Sequence, residues 1–202
     1  NKIAWLRNAR GGDYPSIKEF SKICIDSGCQ GITVHPRDDM RHINPEDVKI
    51  LKELTKESEV EFNIEGNPFS EQKGKYPGFL QLIKSYQPDQ CTLVPDASSQ
   101  LTSDHGWDLL GDNSRLASLI KTIKTYGSRV SLFMDPSEEG ISKAKEVGAD
   151  RIELYTGPYA EAVKHQKGIK DLIKQYSKAD KHAHNLGLGV NAGHDLNLSN
   201  LS

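Results

Sequence analysis

No stretch of the chain approaches the roughly 18 consecutive apolar residues that a membrane helix needs, and its first residues lack the apolar core of a signal peptide. A membrane partner is therefore set aside, and the expected location is the cytosol. Cysteine is scarce: Cys24, Cys29 and Cys91 are an odd set without metal-ligand spacing, so they read as free thiols packed as small hydrophobes. An excess of one charge is missing too. With 26 Lys and Arg against 28 Asp and Glu, the formal net charge is -2, and nucleic acid is not an expected partner. Neither a P-loop nor a GxGxxG after a strand is present, so no nucleotide is indicated.

What is present suits one globular domain over residues 1–202, of which 36% are hydrophobic. The chain opens at Asn1 without a methionine and stops at Ser202 soon after a strand-like run, so both ends are expected to be missing. Apolar runs alternate with helix-period segments and no linker interrupts them, the signature of βα units on a parallel sheet. After a strand stub at Ile3 to Leu6, the predicted strands are Gly31 to His35, Val60 to Glu65, Gln90 to Val94, Arg129 to Met134, Arg151 to Tyr155 and Gly189 to Ala192. Helices are predicted at Ser16 to Ser27, Pro45 to Lys56, Gly78 to Tyr86, Arg115 to Tyr126 and Ser137 to Val147, with a long one ending near Leu186. Asn44 before Pro45 is a helix start; Gly28, Gly127 and Gly148 are helix stops.

Side-chain parity narrows the architecture, because successive strand residues face opposite ways. One face carries Ile32, Val34, Phe62, Ile64, Val130, Leu132, Ile152, Leu154, Leu188 and Val190. The other carries Thr33, His35, Asn63, Glu65, Ser131, Glu153 and Asn191. An open doubly wound sheet favours apolar residues on both faces. A closed barrel with a partly polar interior fits better, and an α/β fold of the (β/α)8 TIM-barrel type, with its first strand and last βα unit truncated, is the expected fold. The plain rival is that parity in such short strands is accidental.

On that architecture His35, Glu65 and the cluster NAGH (Asn191 to His194) lie at strand ends on the catalytic rim. Two imidazoles and a carboxylate there suit proton transfer near neutral pH. A histidine at a strand end is more often a hydrogen-bonded structural residue, so spacing alone is a modest signal. Metal binding is weaker still, since no two histidines have a familiar ligand spacing on a predicted helix. Arg7 and Arg10 in LRNARGG, with Arg37 and Arg41 in GITVHPRDDMRHI, follow predicted strands and suggest anion recognition through paired guanidinium donors. The expected ligand is a phosphorylated small molecule.

The strings LRNARGG, GITVHPRDDMRHI, TLVPD, VSLFMDP, IELYTGPYA and LGLGVNAGHDLN, in this order along the chain, resemble the pyridoxine 5'-phosphate synthase family. The resemblance implies a barrel enzyme that condenses 3-amino-2-oxopropyl phosphate with 1-deoxy-D-xylulose 5-phosphate, giving pyridoxine 5'-phosphate, phosphate and water. It implies no metal or organic cofactor, and a homo-octamer built from dimers. It places the catalytic groups on His35, Glu65 and His194, the ketose-phosphate contacts on Arg37, His42 and Thr102, and an aminoketone-phosphate contact on Arg10. Asn1 and Lys2 stand where many members have an aspartate and a histidine. Asp195 replaces a glycine common after the second histidine, where a backbone amide contact to phosphate can survive. The family's final phosphate-binding glycine and histidine fall beyond Ser202.

The alternative is another phosphosugar enzyme on the same barrel, an aldolase or isomerase. It calls for a Schiff-base lysine at a strand end or a metal triad, and the sequence offers neither. The polar segment from Pro95 through Asn113 is too long for a routine βα turn, and with Thr102 in it is expected to close over the bound ketose phosphate.

Overall fold

The computed structural model describes residues 1–97 and 99–201; Ser98, part of that polar segment, lies outside the described residues. The described residues form six strands and eight helices, an α/β fold of parallel strands. Backbone contacts divide the chain into two compact units, Asn1–Gln100 with Thr122–Arg129, and Leu101–Lys121 with Val130–Ser202.

The first unit contains α1 (Lys2–Arg10), α2 (Ile17–Asp26), β1 (Gly31–Val34), α3 (Pro45–Glu57), β2 (Glu61–Gly66), α4 (Phe79–Tyr86) and β3 (Gln90–Leu93). Its helices start where their caps dictate. Ser16 accepts from the Glu19 amide, and Asn44 forms a capping box with Asp47 behind Pro45. β1 pairs in parallel with β2, Thr33 opposite Asn63, and β2 with β3, Asn63 opposite Gln90. The parity prediction holds here. Phe62 and Ile64 are fully buried in the apolar core, whereas on the opposite face Asn63 donates to Thr33 Oγ1 at 3.2 Å and Thr92 Oγ1 at 3.0 Å.

The second unit contains β4 (Arg129–Met134, from Val130 on), α6 (Glu138–Glu146), β5 (Arg151–Tyr155), α7 (Gly157–His165), α8 (Ile169–Asn185) and β6 (Gly189–Gly193). α5 (Ser114–Thr125) begins in this unit. β4, β5 and β6 pair in parallel in chain order. Val130, Leu132, Ile152 and Leu154 are buried on one face; on the other, Asn191 Oδ1 accepts from the Arg151 guanidinium at 2.9 and 2.7 Å.

Two expectations are corrected and one helix is added. The stub Ile3 to Leu6 is no strand but the start of α1, so Arg7 and Arg10 lie in a helix's last turn. Four consecutive apolar residues are too few for periodicity to separate strand from helix, and Arg7, Ala9 and Arg10 are strong helix formers. Gly11, at φ 66°, then closes the helix in the left-handed region. The long helix expected to end near Leu186 is α8, capped at Leu186; a further helix that the sequence reading did not separate, α7, precedes it, parted from it at Gln166 and Gly168, both with positive φ. Of the thiols only Cys91 is packed as a hydrophobe, with burial pushing its pKa up to about 12; Cys24 is exposed, because α2 turns most of its residues outward, and Cys29, after that helix, is half-buried. Among the described residues, no helix is long and apolar enough to cross a membrane.

The polar segment has no helix or strand among its described residues, yet it is tied down. Its Trp107 amide donates to the Phe133 carbonyl at 2.9 Å, and Ser103 and Leu109 are buried, while Leu101 and Leu110 point to solvent. Gly106 sits against the end of β4 so closely that an added Cβ would lie 2.2 Å from the Asp135 nitrogen. Gly106→Ala should therefore destabilise the fold by about 2 kcal/mol or more, since backbone, not a flexible side chain, blocks the methyl. Urea unfolding with an unchanged midpoint would show that the segment shifts freely.

Candidate active site

In the first unit the register of β1 on β2 decides what meets at the strand ends. Thr33 lies opposite Asn63, and two residues further along the same face come His35 and Glu65. His35 Nδ1 stands 3.1 Å from Glu65 Oε1, and the two residues are 6% and 8% exposed. The His35 amide donates to Asn1 Oδ1 at 2.9 Å. The His42 ring meets the His35 ring edge-on, with centroids 6.1 Å apart. His42 Nδ1 accepts from the Ile43 amide at 2.9 Å, so the neutral ring carries its proton on Nε2. Burial first, and then the charge of His35, pull the His42 pKa down to about 3. His42 is thus a neutral donor at physiological pH, suited to hydrogen-bonding an anion rather than pairing with it as a cation.

The turn that carries these groups is held by α1. Asn8 Nδ2 donates to the carbonyls of Arg41 and His42 at 3.2 and 2.8 Å. Arg7 makes a two-pronged ion pair with Asp47 at 2.5 and 2.9 Å, and that same carboxylate caps α3. Arg7 is therefore scaffolding, and its place in the expected set of anion-binding arginines is withdrawn. Arg41 bonds Asp39 at 2.7 Å and the Gln100 carbonyl at 2.9 Å. Arg37 is buried and donates to Asp96 and to the Gln100 carbonyl. Arg10 is exposed on α1 and, among the described residues, has no ion-pair partner; Lys2, also exposed, begins the same helix.

The second unit holds the others. His194 follows β6 with φ 94° and Asp195 follows with φ 56°, two successive non-glycine residues at positive φ. Thr156 holds this turn, its hydroxyl donor shared between the carbonyls of Gly193 at 2.6 Å and His194 at 2.5 Å, while Asn200 Nδ2 donates to the Asp195 carbonyl at 3.0 Å. The His194 ring lies against Phe133 and Tyr155, centroids 5.7 and 5.6 Å away. Among the described residues no hydrogen-bond partner reaches its buried Nδ1, from which the exposed Asp195 carboxylate stands 3.6 Å away. Thr102 is exposed.

The structure thus brings His35, Glu65, His42, Arg37 and Asn1 together in one unit and His194 with Asp195 in the other. Sequence reasoning passed over Asp96, Asn8, Phe133 and Thr156. Asp96 is the polar end of TLVPD and Asn8 the centre of LRNARGG, and Phe133 is the apolar exception on the polar-parity face; each was a readable signal. Among the described residues, no three His, Cys, Asp or Glu side chains are grouped to hold a metal ion.

The family model of the pyridoxal phosphate biosynthesis protein PdxJ matches residues 1–202. A pyridoxine 5'-phosphate synthase of Xanthomonas axonopodis pv. citri is 54% identical over 202 residues, all of this chain and 78% of that protein. One of Xanthomonas oryzae pv. oryzae is 52% identical with the same coverage, and one of Xylella fastidiosa is 50% identical, with 77% of its length covered.

The depressed His42 pKa has a consequence for stability. The unfolded imidazole titrates near ~6.5, so as pH falls below that value the unfolded chain takes up a proton that folded His42 refuses. The stability His42 contributes is whole above about 6.5 and drains away as pH falls toward about 3. His42→Gln should flatten the decline in urea midpoint between pH ~6.5 and ~4. Superimposable profiles for variant and parent would show that His42 protonates as easily folded as unfolded.

Proposed function

The chain belongs to the pyridoxal phosphate biosynthesis protein PdxJ family, and we propose that it condenses 3-amino-2-oxopropyl phosphate with 1-deoxy-D-xylulose 5-phosphate using His35, Glu65 and His194 as its acid–base groups. The products are pyridoxine 5'-phosphate, phosphate and water. The observation that carries this reading is the buried His35–Glu65 contact of 3.1 Å at the ends of two adjacent strands.

The amine of one substrate adds to the ketone of the other and water leaves, one phosphate ester is eliminated, and a carbon nucleophile closes onto the second carbonyl, whose oxygen departs as a second water as the ring aromatises. Each step moves a proton, and a positioned acid or base contributes typically ~10²–10⁴-fold. The substrate's own amine makes a covalent lysine unnecessary. Glu65 and His35 serve the imine and ring-closing transfers, because their contact lets a proton pass between them. His194, held on an aromatic wall, protonates a leaving group. Arg37 and His42 hold the ketose phosphate, the first as a cation and the second as a neutral Nε2 donor; Thr102 adds a hydroxyl. The exposed Arg10 guanidinium is available for the aminoketone phosphate. Asp195 offers its backbone amide, and Asn1 and Lys2 lie where further substrate contacts are expected.

A single (β/α)8 barrel domain, six strands of which lie among the described residues, is the architecture we infer, supported by the polar-parity face in both units. A cytoplasmic homo-octamer built from dimers goes with it, and sedimentation velocity checks the oligomer.

His35→Ala, Glu65→Gln and His194→Ala should each lower turnover at least ~10²-fold with the fold intact. Near-parental turnover in any of them removes that residue from the mechanism. Arg37→Ala should raise the Michaelis constant for the ketose about ten- to a hundredfold and leave that for the aminoketone nearly unchanged, the loss of one charge-assisted contact. Equal rises for both substrates would make Arg37 structural.

A further inference from the structure

We propose that Asp96 is a positioning residue that aims the Arg37 guanidinium at the ketose phosphate; this rests on Arg37 being a phosphate contact. Both side chains are buried, at 7% and 3% exposure, and Arg37 gives one terminal nitrogen to Asp96 Oδ2 and the other to the Gln100 carbonyl at 3.2 Å. A guanidinium carries five N–H groups, so three are left that neither bond uses. A planar fork pinned at two points presents the remaining donors in one fixed direction, the condition for two-pronged phosphate recognition.

Asp96 is itself fixed. The residues before it extend the β2–β3 pairing, with the Val94 amide donating to the Gly66 carbonyl at 3.1 Å. The Asp96 carbonyl accepts from Asn67 Nδ2 at 2.8 Å, and Asn67 Oδ1 in turn accepts from the Phe69 amide at 2.8 Å. The position of Arg37, after β1, is thereby set from the ends of β2 and β3. A cleft of about 410 Å³, lined by Asp38, Asn67, Ser70, Lys73 and Asp96, opens beside them.

Charge and geometry oppose each other at Asp96, and the opposition makes the proposal testable by sign. A buried carboxylate repels an incoming phosphate and offsets Arg37, so on charge alone removing it strengthens anion binding. If its work is positioning, removing it weakens binding.

The test is steady-state kinetics with both substrates, alongside competition by inorganic phosphate. Asp96→Asn should raise the ketose Michaelis constant about tenfold, with turnover within about threefold and the aminoketone constant unchanged. Inorganic phosphate should compete correspondingly less well. Asp96→Glu, which keeps the charge but displaces it by one methylene, should give a smaller rise. In an Arg37→Ala background Asp96→Asn should add nothing further, because its effect runs through Arg37. A ketose constant that falls or holds in Asp96→Asn, while Arg37→Ala raises it, overturns the positioning role and leaves the phosphate contact standing. So does an additive effect in the double variant. An unchanged ketose constant in Arg37→Ala removes the phosphate contact and the proposal together. Should Asp96→Asn fail to fold, Asp96→Glu decides alone, an unmoved ketose constant overturning the proposal.

Discussion

A parallel register of four residue pairs sets Gly31–Val34 against Glu61–Ile64, and everything at this end of the first unit depends on it. Because the side-chain period of a strand is two, that register sends Phe62 and Ile64 into the apolar core and Asn63 and Glu65 to the opposite face. One residue of slip would reverse both assignments. The same hydrogen-bonded spacing that builds the sheet therefore sets the distance between His35 and Glu65. A buried imidazole and carboxylate in contact offset part of each other's desolvation there.

The arginines show how similar residues divide by surroundings. Arg7 completes the cap of α3 through Asp47, and Asn8 beside it clamps the turn after β1. Arg41 reinforces its own turn through Asp39. Arg37 is buried among polar groups and Arg10 is exposed. Two of the four guanidiniums thus order the loop, and Arg37 and Arg10 keep donors for a ligand. His42 follows the same logic: desolvation removes its charge but leaves its Nε2 proton free to donate.

In the second unit the price is paid in backbone. His194 and Asp195 both occupy left-handed conformations, each costing about 1–3 kcal/mol for a non-glycine residue. Thr156, Asn200 and the aromatic wall hold them there. Asp tolerates this region better than most residues, through its short polar side chain, which explains how an aspartate stands where the resemblance leads one to expect glycine. At Gly193 an added Cβ would lie 2.5 Å from Glu153 Oε1, the far end of a flexible side chain that would have to move aside.

The sequence by itself determined the alternation of strands and helices, the two-faced parity of the strands, the helix stops at Gly28, Gly127 and Gly148, and the identity of His35, Glu65 and His194 as candidates. Those signals are local: periodicity, capping and turn chemistry act over a few residues. Four apolar residues at the start carry too little period to tell a strand from the helix α1. Tertiary structure alone decided that Arg7 belongs to Asp47 and Arg37 to Asp96, pairs separated by 40 and 59 positions. It alone decided that His42 is neutral and that Gly106 is wedged against β4. Which carboxylate a guanidinium meets, and how far burial shifts a proton, depend on residues distant in the chain, and only the packed fold brings them within reach.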